Sequence, residues 1–100
     1  MAAYTYIWAF EVRPEFIEAF LAAYGADGDW VRLFRRGQGY VGTRLLRDRE
    51  DPHRFLTLDT WRSAEDFRSF RQQFAAEFAA LDRSCEAFTV SEVPLGEYRE

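Results

Sequence analysis

Residues 4–12, YTYIWAFEV, have the pattern of a β-strand that is apolar on both faces. Successive side chains of a strand point to opposite faces. One face would carry Tyr4, Tyr6, Trp8, Phe10 and Val12. The other would carry Thr5, Ile7, Ala9 and Glu11, of which only Glu11 is charged. A strand with one face in water alternates apolar and polar residues. The stretch therefore predicts a sheet that needs cover on both faces.

The composition is that of one globular domain spanning residues 1–100, with 48% hydrophobic and 30% charged residues. Ten Phe and three Trp exceed what a small core usually needs and indicate a pocket or a buried interface as well. The net charge is −4 and the basic residues are spread along the chain, which argues against a nucleic-acid partner. We expect a cytoplasmic protein without a membrane partner, because neither a leader nor an apolar run of about 18 residues is seen.

The rest of the chain alternates between helical and extended patterns. Apolar spacing and turn residues predict six elements, in the order strand 4–12, broken helix 14–36, strand 40–48, strand 53–61, helix 63–83 and strand 85–93. Ser63 can cap the later helix, with Asp66 at the reciprocal position of a capping box. Pro94 and Gly96 should end the last strand.

This order of elements is that of a ferredoxin-like βαββαβ domain, an α+β fold with a four-stranded antiparallel sheet. Right-handed crossovers place both helices on the same face of the sheet. The opposite face is apolar, and the chain has nothing left to cover it. We therefore expect a homodimer in which two sheets pack face to face, as a dimeric α+β barrel.

Asp59 is a carboxylate within an otherwise apolar predicted strand and should have a partner, since a buried unpaired charge is costly. If Asp48 faces His53 in the hairpin, Arg44 and Asp59 become diagonal neighbours on one face. The sequence thus predicts an Arg44–Asp59 ion pair. The alternative is that Arg44 holds an anionic substrate.

GQGYVG, residues 37–42, matches the glycine spacing of a dinucleotide-binding loop but follows a helix and opens a strand, the reverse of that motif. We interpret Gly39 and Gly42 as positions of tight backbone and close packing. One Cys and one His cannot supply the ligands of a zinc site, so we expect no metal. Cys85 is most simply a small structural residue near a helix end.

Five aromatic residues could line a cavity for a flat aromatic ligand: Tyr6, Trp8, Phe34, Tyr40 and Trp61. They could equally fill the core and a dimer interface. His53, next to Pro52, is either an exposed turn residue or a proton acceptor at the mouth of a pocket, because its pKa lies near neutral pH.

Three stretches resemble the antibiotic biosynthesis monooxygenase (ABM) domain family of the dimeric α+β barrel superfamily: AFEVRPEFIEAF, YVGTRLL and FLTLDTWRSAEDFRSF. The resemblance spans roughly residues 4–93. It implies an oxidoreductase, because the family includes cofactor-free oxygenases that oxidise phenolic polyketides or quinols with O2. The family also includes haem-degrading enzymes. In that branch a Trp at the position resembling Trp61 acts with an Asn on the first strand and a His on the later helix. This chain has Trp8 near the Asn position and no His on that helix.

The resemblance and the residues together favour a cofactor-independent monooxygenase that acts with O2 on a small aromatic or quinol-type metabolite. The candidate catalytic residues are His53, Arg44 and Tyr6. The candidate substrate-binding residues are Trp8, Phe34, Tyr40 and Trp61. Two alternatives stay open: a non-catalytic dimeric barrel that binds a small ligand, and a haem-binding or haem-degrading member.

Overall fold

The computed structural model of the protein describes residues 2–100. Its strands are β1 (Tyr4–Val12), β2 (Tyr40–Arg47), β3 (Arg54–Trp61) and β4 (Thr89–Arg99). Its α-helices are α1 (Ile17–Tyr24), α2 (Asp29–Phe34), α3 (Ala64–Gln73) and α4 (Ala75–Cys85), with short 3-10 turns at Pro14–Phe16 and Glu86–Phe88. The strands form one antiparallel sheet in the order β2-β3-β1-β4. The ferredoxin-like α+β prediction is confirmed. None of the described helices is long and apolar enough to cross a membrane.

Two predicted boundaries are wrong. The later helix is divided at Phe74, whose backbone leaves the helical region, so that α3 and α4 replace one continuous helix. The last strand begins at Thr89 and continues through Pro94 and Gly96 to Arg99. An edge strand tolerates proline at a bulge, and the register of β4 against β1 shifts between Pro94 and Gly96.

The large residues of β1 face the helices and form a mostly aromatic core with them. Phe10 packs edge-on against Phe20 at 5.4 Å between ring centroids, and Phe20 stacks on Tyr24 at 4.3 Å. Phe55 and Trp61 of β3 are also fully buried on this side. Aromatic rings therefore join the sheet to its helices, on the face that the parity of YTYIWAFEV predicts.

The other face of the sheet is apolar and lacks cover among the described residues. Ile7 lies opposite Leu58, and Ala9 lies between Leu56 and Val93. The same face continues outward to Leu46 and Tyr98, and Leu46, Val93 and Tyr98 are 37%, 49% and 54% exposed. The second half of the β1 pattern is thus explained by an apolar face that the helices leave bare.

The predicted Arg44–Asp59 ion pair is wrong, because the β2–β3 hairpin is shifted by one residue from the predicted register. Arg44 lies opposite Leu58, whereas Asp59 lies opposite Thr43. A shift of one residue moves a side chain to the opposite face of the sheet. Asp48 produces the shift: its Oδ1 accepts hydrogen bonds from the backbone N–H groups of Glu50 and Asp51, and its own N–H pairs with the carbonyl of Arg54 rather than with His53.

The two glycines at the start of β2 differ in backbone conformation and in the space around them. Gly39 has φ +90°, and a Cβ there would lie 2.2 Å from Asp66 Oδ2. A Cβ at Gly42 would meet no atom within 4 Å, so the close packing predicted at Gly42 is wrong.

Gly39→Ala should lower the free energy of unfolding by about 1–3 kcal/mol, because alanine is strained at positive φ and its methyl group would displace Asp66. Gly42→Ala is the matched control and should change it by less than about 0.5 kcal/mol. Urea unfolding followed by far-UV circular dichroism measures both variants. Equal losses in the two variants would contradict this account of Gly39.

Candidate functional site

A cavity of about 600 Å³ lies between the helix-facing side of the sheet and the four helices. Its walls are mainly aromatic, and the rings that line it are Tyr4, Tyr6, Trp8, Phe10, Tyr24, Trp30, Phe34, Phe67 and Phe78. Volumes of this size and walls of this kind are typical of sites for small organic molecules.

Three of the seven residues predicted from the sequence line this cavity: Tyr6, Trp8 and Phe34. Trp61 is 0% exposed and lies in the core, where a Cβ built at Gly37 would approach its ring to 3.1 Å. Tyr40 packs on Phe34 and Trp61 at 5.6 and 5.4 Å between ring centroids, outside the lining. Trp61 and Tyr40 therefore support the wall from behind.

The other two predicted residues lie away from the cavity lining. Arg44 is exposed on the bare face of the sheet, on the side opposite the helices. His53 lies in the β2–β3 turn, where its side chain is half-exposed and Nδ1 is 3.9 Å from Asp51 Oδ1. The geometry therefore does not bring either residue to the aromatic walls.

The structure places Asp59 at the cavity instead. This residue is in the middle strand β3, with Tyr6 of β1 and Thr43 of β2 as its direct neighbours across the sheet. It is only 6% exposed. Thr43 Oγ1 donates a hydrogen bond to Asp59 Oδ1 at 2.5 Å. Because a hydroxyl group has only one proton to donate, Thr43 Oγ1 accepts its other hydrogen bond from the Tyr40 hydroxyl, at 2.7 Å. A hydrogen-bonded chain from Tyr40 thus orients the carboxyl group.

Burial raises the pKa of Asp59 to about 6, against the opposing effect of the Thr43 hydrogen bond. A carboxyl group with such a pKa exchanges protons near neutral pH, as a general base must. The sequence signal for this carboxyl group is an acidic residue in an apolar strand, which the sequence analysis interprets as one member of an ion pair.

Hydroxyl side chains accompany Asp59 in the cavity lining, among them those of Tyr6 and Thr57. Thr57 is 4% exposed and lies opposite Trp8 of β1. Burial, followed by the charge of Asp59, raises the pKa of the Tyr6 hydroxyl far above its ordinary value. Tyr6 therefore keeps its proton and remains a hydrogen-bond donor at any physiological pH.

Charged side chains at the cavity are mostly acidic. Apart from Asp59 they are Asp82, Glu92, Glu97 and Arg71. The guanidinium of Arg71 lies over the Phe78 ring, 3.9 Å from its centroid. Burial, then the charges of Asp82 and Glu86, raise the pKa of Glu92. Among residues 2–100, no cluster of three His, Cys, Asp or Glu side chains could hold a metal ion.

The chain is thus an α+β domain with an aromatic cavity and a buried carboxyl group. The family model described as antibiotic biosynthesis monooxygenase matches residues 3–80. The chain therefore belongs to the antibiotic biosynthesis monooxygenase family.

Solved structures share this fold. SnoaB, a cofactor-independent oxygenase from Streptomyces nogalater, is 21% identical with a TM-score of 0.73, over 98% of this chain and 92% of SnoaB. A conserved protein from Methanosarcina mazei is 17% identical with a TM-score of 0.73, over 100% and 94% of the two chains. A conserved protein of unknown function from Bacteroides thetaiotaomicron is 12% identical with a TM-score of 0.74, over 99% of this chain and 97% of that chain. No curated protein sequence matches the chain.

The raised pKa of Asp59 makes stability depend on pH. Because the folded state holds this proton more tightly than the unfolded state, whose pKa is near 3.8, the free energy of unfolding should fall between pH 4 and pH 6. The loss should reach about 2–3 kcal/mol.

Asp59→Asn removes this titration and keeps an acceptor oxygen for Thr43. The variant should be about as stable as the wild type at pH 4 and more stable by about 1–3 kcal/mol at pH 8. Urea unfolding at pH 4, 6 and 8 measures the difference. A stability gap that does not change with pH would show that Asp59 has an ordinary pKa.

Proposed function

We propose that the protein is a cofactor-independent monooxygenase that oxidises a small phenolic or quinol-type molecule with O2. The observation that carries this proposal is the buried carboxyl group of Asp59, which lines an aromatic cavity beside the Tyr6 hydroxyl. Membership of the antibiotic biosynthesis monooxygenase family supports it independently.

Binding would place a flat ring between the rings of Trp8, Phe34 and Phe67, with its hydroxyl group toward Asp59. Ring-to-ring contacts in a mainly aromatic lining favour a flat aromatic body. Tyr6 packs on Phe67 of α3 at 4.7 Å between ring centroids, which fixes the position of the Tyr6 ring in the cavity wall.

Asp59 would start the reaction by taking the phenolic proton. Its Oδ1 is held by Thr43, which leaves Oδ2 to accept the proton. The Tyr6 hydroxyl would donate a hydrogen bond to the substrate oxygen as negative charge develops there. A donor that is fixed before the reaction stabilises such an anion without reorganisation.

The electrons would come from the substrate itself. The phenolate transfers one electron to O2, and the resulting radical and superoxide combine to form a C–O bond at a ring carbon. Cleavage of the O–O bond and loss of the ring hydrogen then give a quinone carbonyl and water. The balance is phenol plus O2 to quinone plus water, with one oxygen atom in each product, so no external reductant is needed.

This chemistry is tested by measuring oxygen consumption with phenol, 1-naphthol and 1-anthrol, which have one, two and three fused rings. With ¹⁸O2, one label should enter the quinone and one the water. Asp59→Asn should lower kcat/KM about 100-fold or more, and Tyr6→Phe about 10-fold. Glu50→Gln, in the β2–β3 turn, is the control and should match the wild type.

The same assay gives a pH profile. Because Asp59 must be ionised to accept a proton, kcat/KM should rise through a pH of about 6 and then level off. Asp59→Asn should lose this rise. Ring binding without O2 consumption would overturn the enzyme proposal and leave the non-catalytic ligand-binding barrel.

We further propose that a second copy of the chain covers the bare face of the sheet, as a homodimer. The support is the continuous apolar surface formed by Ile7, Leu46, Leu56, Leu58 and Val93, which exceeds the scattered apolar residues normal for a monomer. A two-fold axis through this face would pair the surface with itself.

Leu58→Glu places a charge at the centre of this face and should convert the dimer to a monomer. Leu21→Glu, at an exposed apolar residue of α1, is the control and should leave the assembly unchanged. Size-exclusion chromatography with light scattering measures both. A wild-type monomer would exclude the dimer.

A further inference from the structure

Tyr24 of α1 is a polar residue of the cavity lining that the proposed reaction does not use. Its ring stacks on Phe20 at 4.3 Å and packs on Phe10 at 5.1 Å between ring centroids. Because both partners are buried core residues, these contacts fix the ring of Tyr24 and with it the position of the hydroxyl group.

The hydroxyl group of Tyr24 is buried without a hydrogen-bond partner. Tyr4, Tyr40 and Tyr98 each make a side-chain hydrogen bond, whereas Tyr24 makes none within residues 2–100. Tyr24 is nevertheless more than nine-tenths buried. A buried hydroxyl group without a partner costs free energy, and nearly all such groups in folded proteins have one. The missing partner of Tyr24 is therefore a feature that a ligand would explain.

The neighbouring polar groups leave the Tyr24 oxygen open to the cavity. Nε1 of Trp30 is fully enclosed and has no acceptor, so it does not donate to Tyr24. The Cys85 thiol lies 3.9 Å from the Ser84 hydroxyl oxygen instead. The Tyr24 oxygen, unlike Trp30 Nε1, is not fully enclosed by the described residues. In a buried side chain that lines the cavity, the accessible part of this oxygen faces the cavity.

The surroundings of Tyr24 indicate which ligand group would fit. Burial, followed by the nearby Cys85 and Glu92, raises the pKa of the Tyr24 hydroxyl far above its ordinary value, so the group keeps its proton and can donate it. Its ligand partner is then an acceptor. The acidic residues Glu92 and Asp82 line the same part of the cavity and would repel an anionic acceptor. A neutral oxygen, such as that of a carbonyl group, fits best.

Tyr24 and Asp59 lie toward opposite ends of the cavity. Tyr6 pairs with Asp59 across the sheet, and Phe10, four residues further along β1, packs on Tyr24. Four residues of a strand span about 13 Å. A ligand of two linked rings can therefore place a hydroxyl group at Asp59 and a carbonyl group at Tyr24.

We propose that Tyr24 is a specificity-determining residue, whose hydroxyl group donates a hydrogen bond to a neutral acceptor oxygen at the end of the ligand remote from Asp59. The ligand class is then an elongated phenol with a carbonyl group at its far end. This inference deepens the proposed function and rests on it for the orientation of the phenol toward Asp59, though not for the contact at Tyr24. A ligand without the acceptor leaves the Tyr24 hydroxyl unpaired, which is how a buried polar group discriminates between ligands.

Three biphenyls of nearly equal shape test this contact: 4-acetyl-4′-hydroxybiphenyl, 4-isopropyl-4′-hydroxybiphenyl and 4′-hydroxybiphenyl-4-carboxylate. Isothermal titration calorimetry gives the Kd of each for the wild type and for Tyr24→Phe. The substitution should raise the Kd of the ketone about 10-fold and leave that of the isopropyl compound unchanged, because only the ketone offers an acceptor. The wild type should bind the carboxylate at least about 10-fold more weakly than the ketone.

Stability provides a readout that separates a ligand contact from a structural role. Tyr24→Phe keeps the ring contacts and removes only the unpartnered hydroxyl group, so the urea midpoint of unfolding should stay the same or rise. A clear fall in the midpoint would show that the hydroxyl group has a structural partner and would overturn the proposal. Tyr98→Phe, on the opposite face of the sheet, is the matched control and should change no Kd.

The outcomes separate this proposal from the oxygenase proposal. A ketone that loses affinity in Tyr24→Phe but consumes no O2 with the wild type supports the role of Tyr24 and removes the enzyme activity. Equal changes for the ketone and the isopropyl compound, or stronger binding of the carboxylate, overturn the role of Tyr24. Absence of ketone binding overturns it as well, and the oxygenase proposal then depends on the phenols with one, two and three fused rings alone.

Discussion

The hydrogen bond from Thr43 to Asp59 is the interaction on which the site depends, and a turn outside the cavity determines whether it can form. Asp48 accepts two backbone N–H groups and so places the start of β3 at Arg54. That register places Thr43 beside Asp59. Both side chains then lie on the helix-facing side of the sheet. The register predicted from the sequence would instead have placed Gly42 opposite Asp59 and left its carboxyl group without this donor.

Aromatic packing supplies the second half of the site. The rings of β1 and the helices pack against one another at tilted angles, and the same rings line the cavity between the sheet and the helices. Trp61 and Tyr40 brace this wall from behind. The same rings thus stabilise the domain and shape the space that excludes water from Asp59.

The fold could be predicted further than the site. Side-chain parity in β1 and the order of strands and helices were enough for the βαββαβ topology and for the bare face, since both follow from local periodicity. The register of β2 could not be predicted in this way, because one hydrogen-bonded turn residue, Asp48, changes which face every β2 side chain occupies. On the predicted register Asp59 was assigned to an ion pair with Arg44, whereas His53 was a pocket candidate only because a histidine can accept a proton near neutral pH. Tyr6, Trp8 and Phe34 line the cavity, and the side on which they lie depends on the local patterns of β1 and α2 alone.

A buried carboxyl group reduces stability above its pKa, and nothing in the packing of the core requires one at position 59. An asparagine there would keep the Thr43 hydrogen bond without the desolvation cost of a buried charge. Local arrangements that oppose stability are concentrated at sites where a ligand relieves them. A ligand with an acidic hydroxyl group would relieve this cost at Asp59, because the proton that the ligand gives up would neutralise the buried carboxylate.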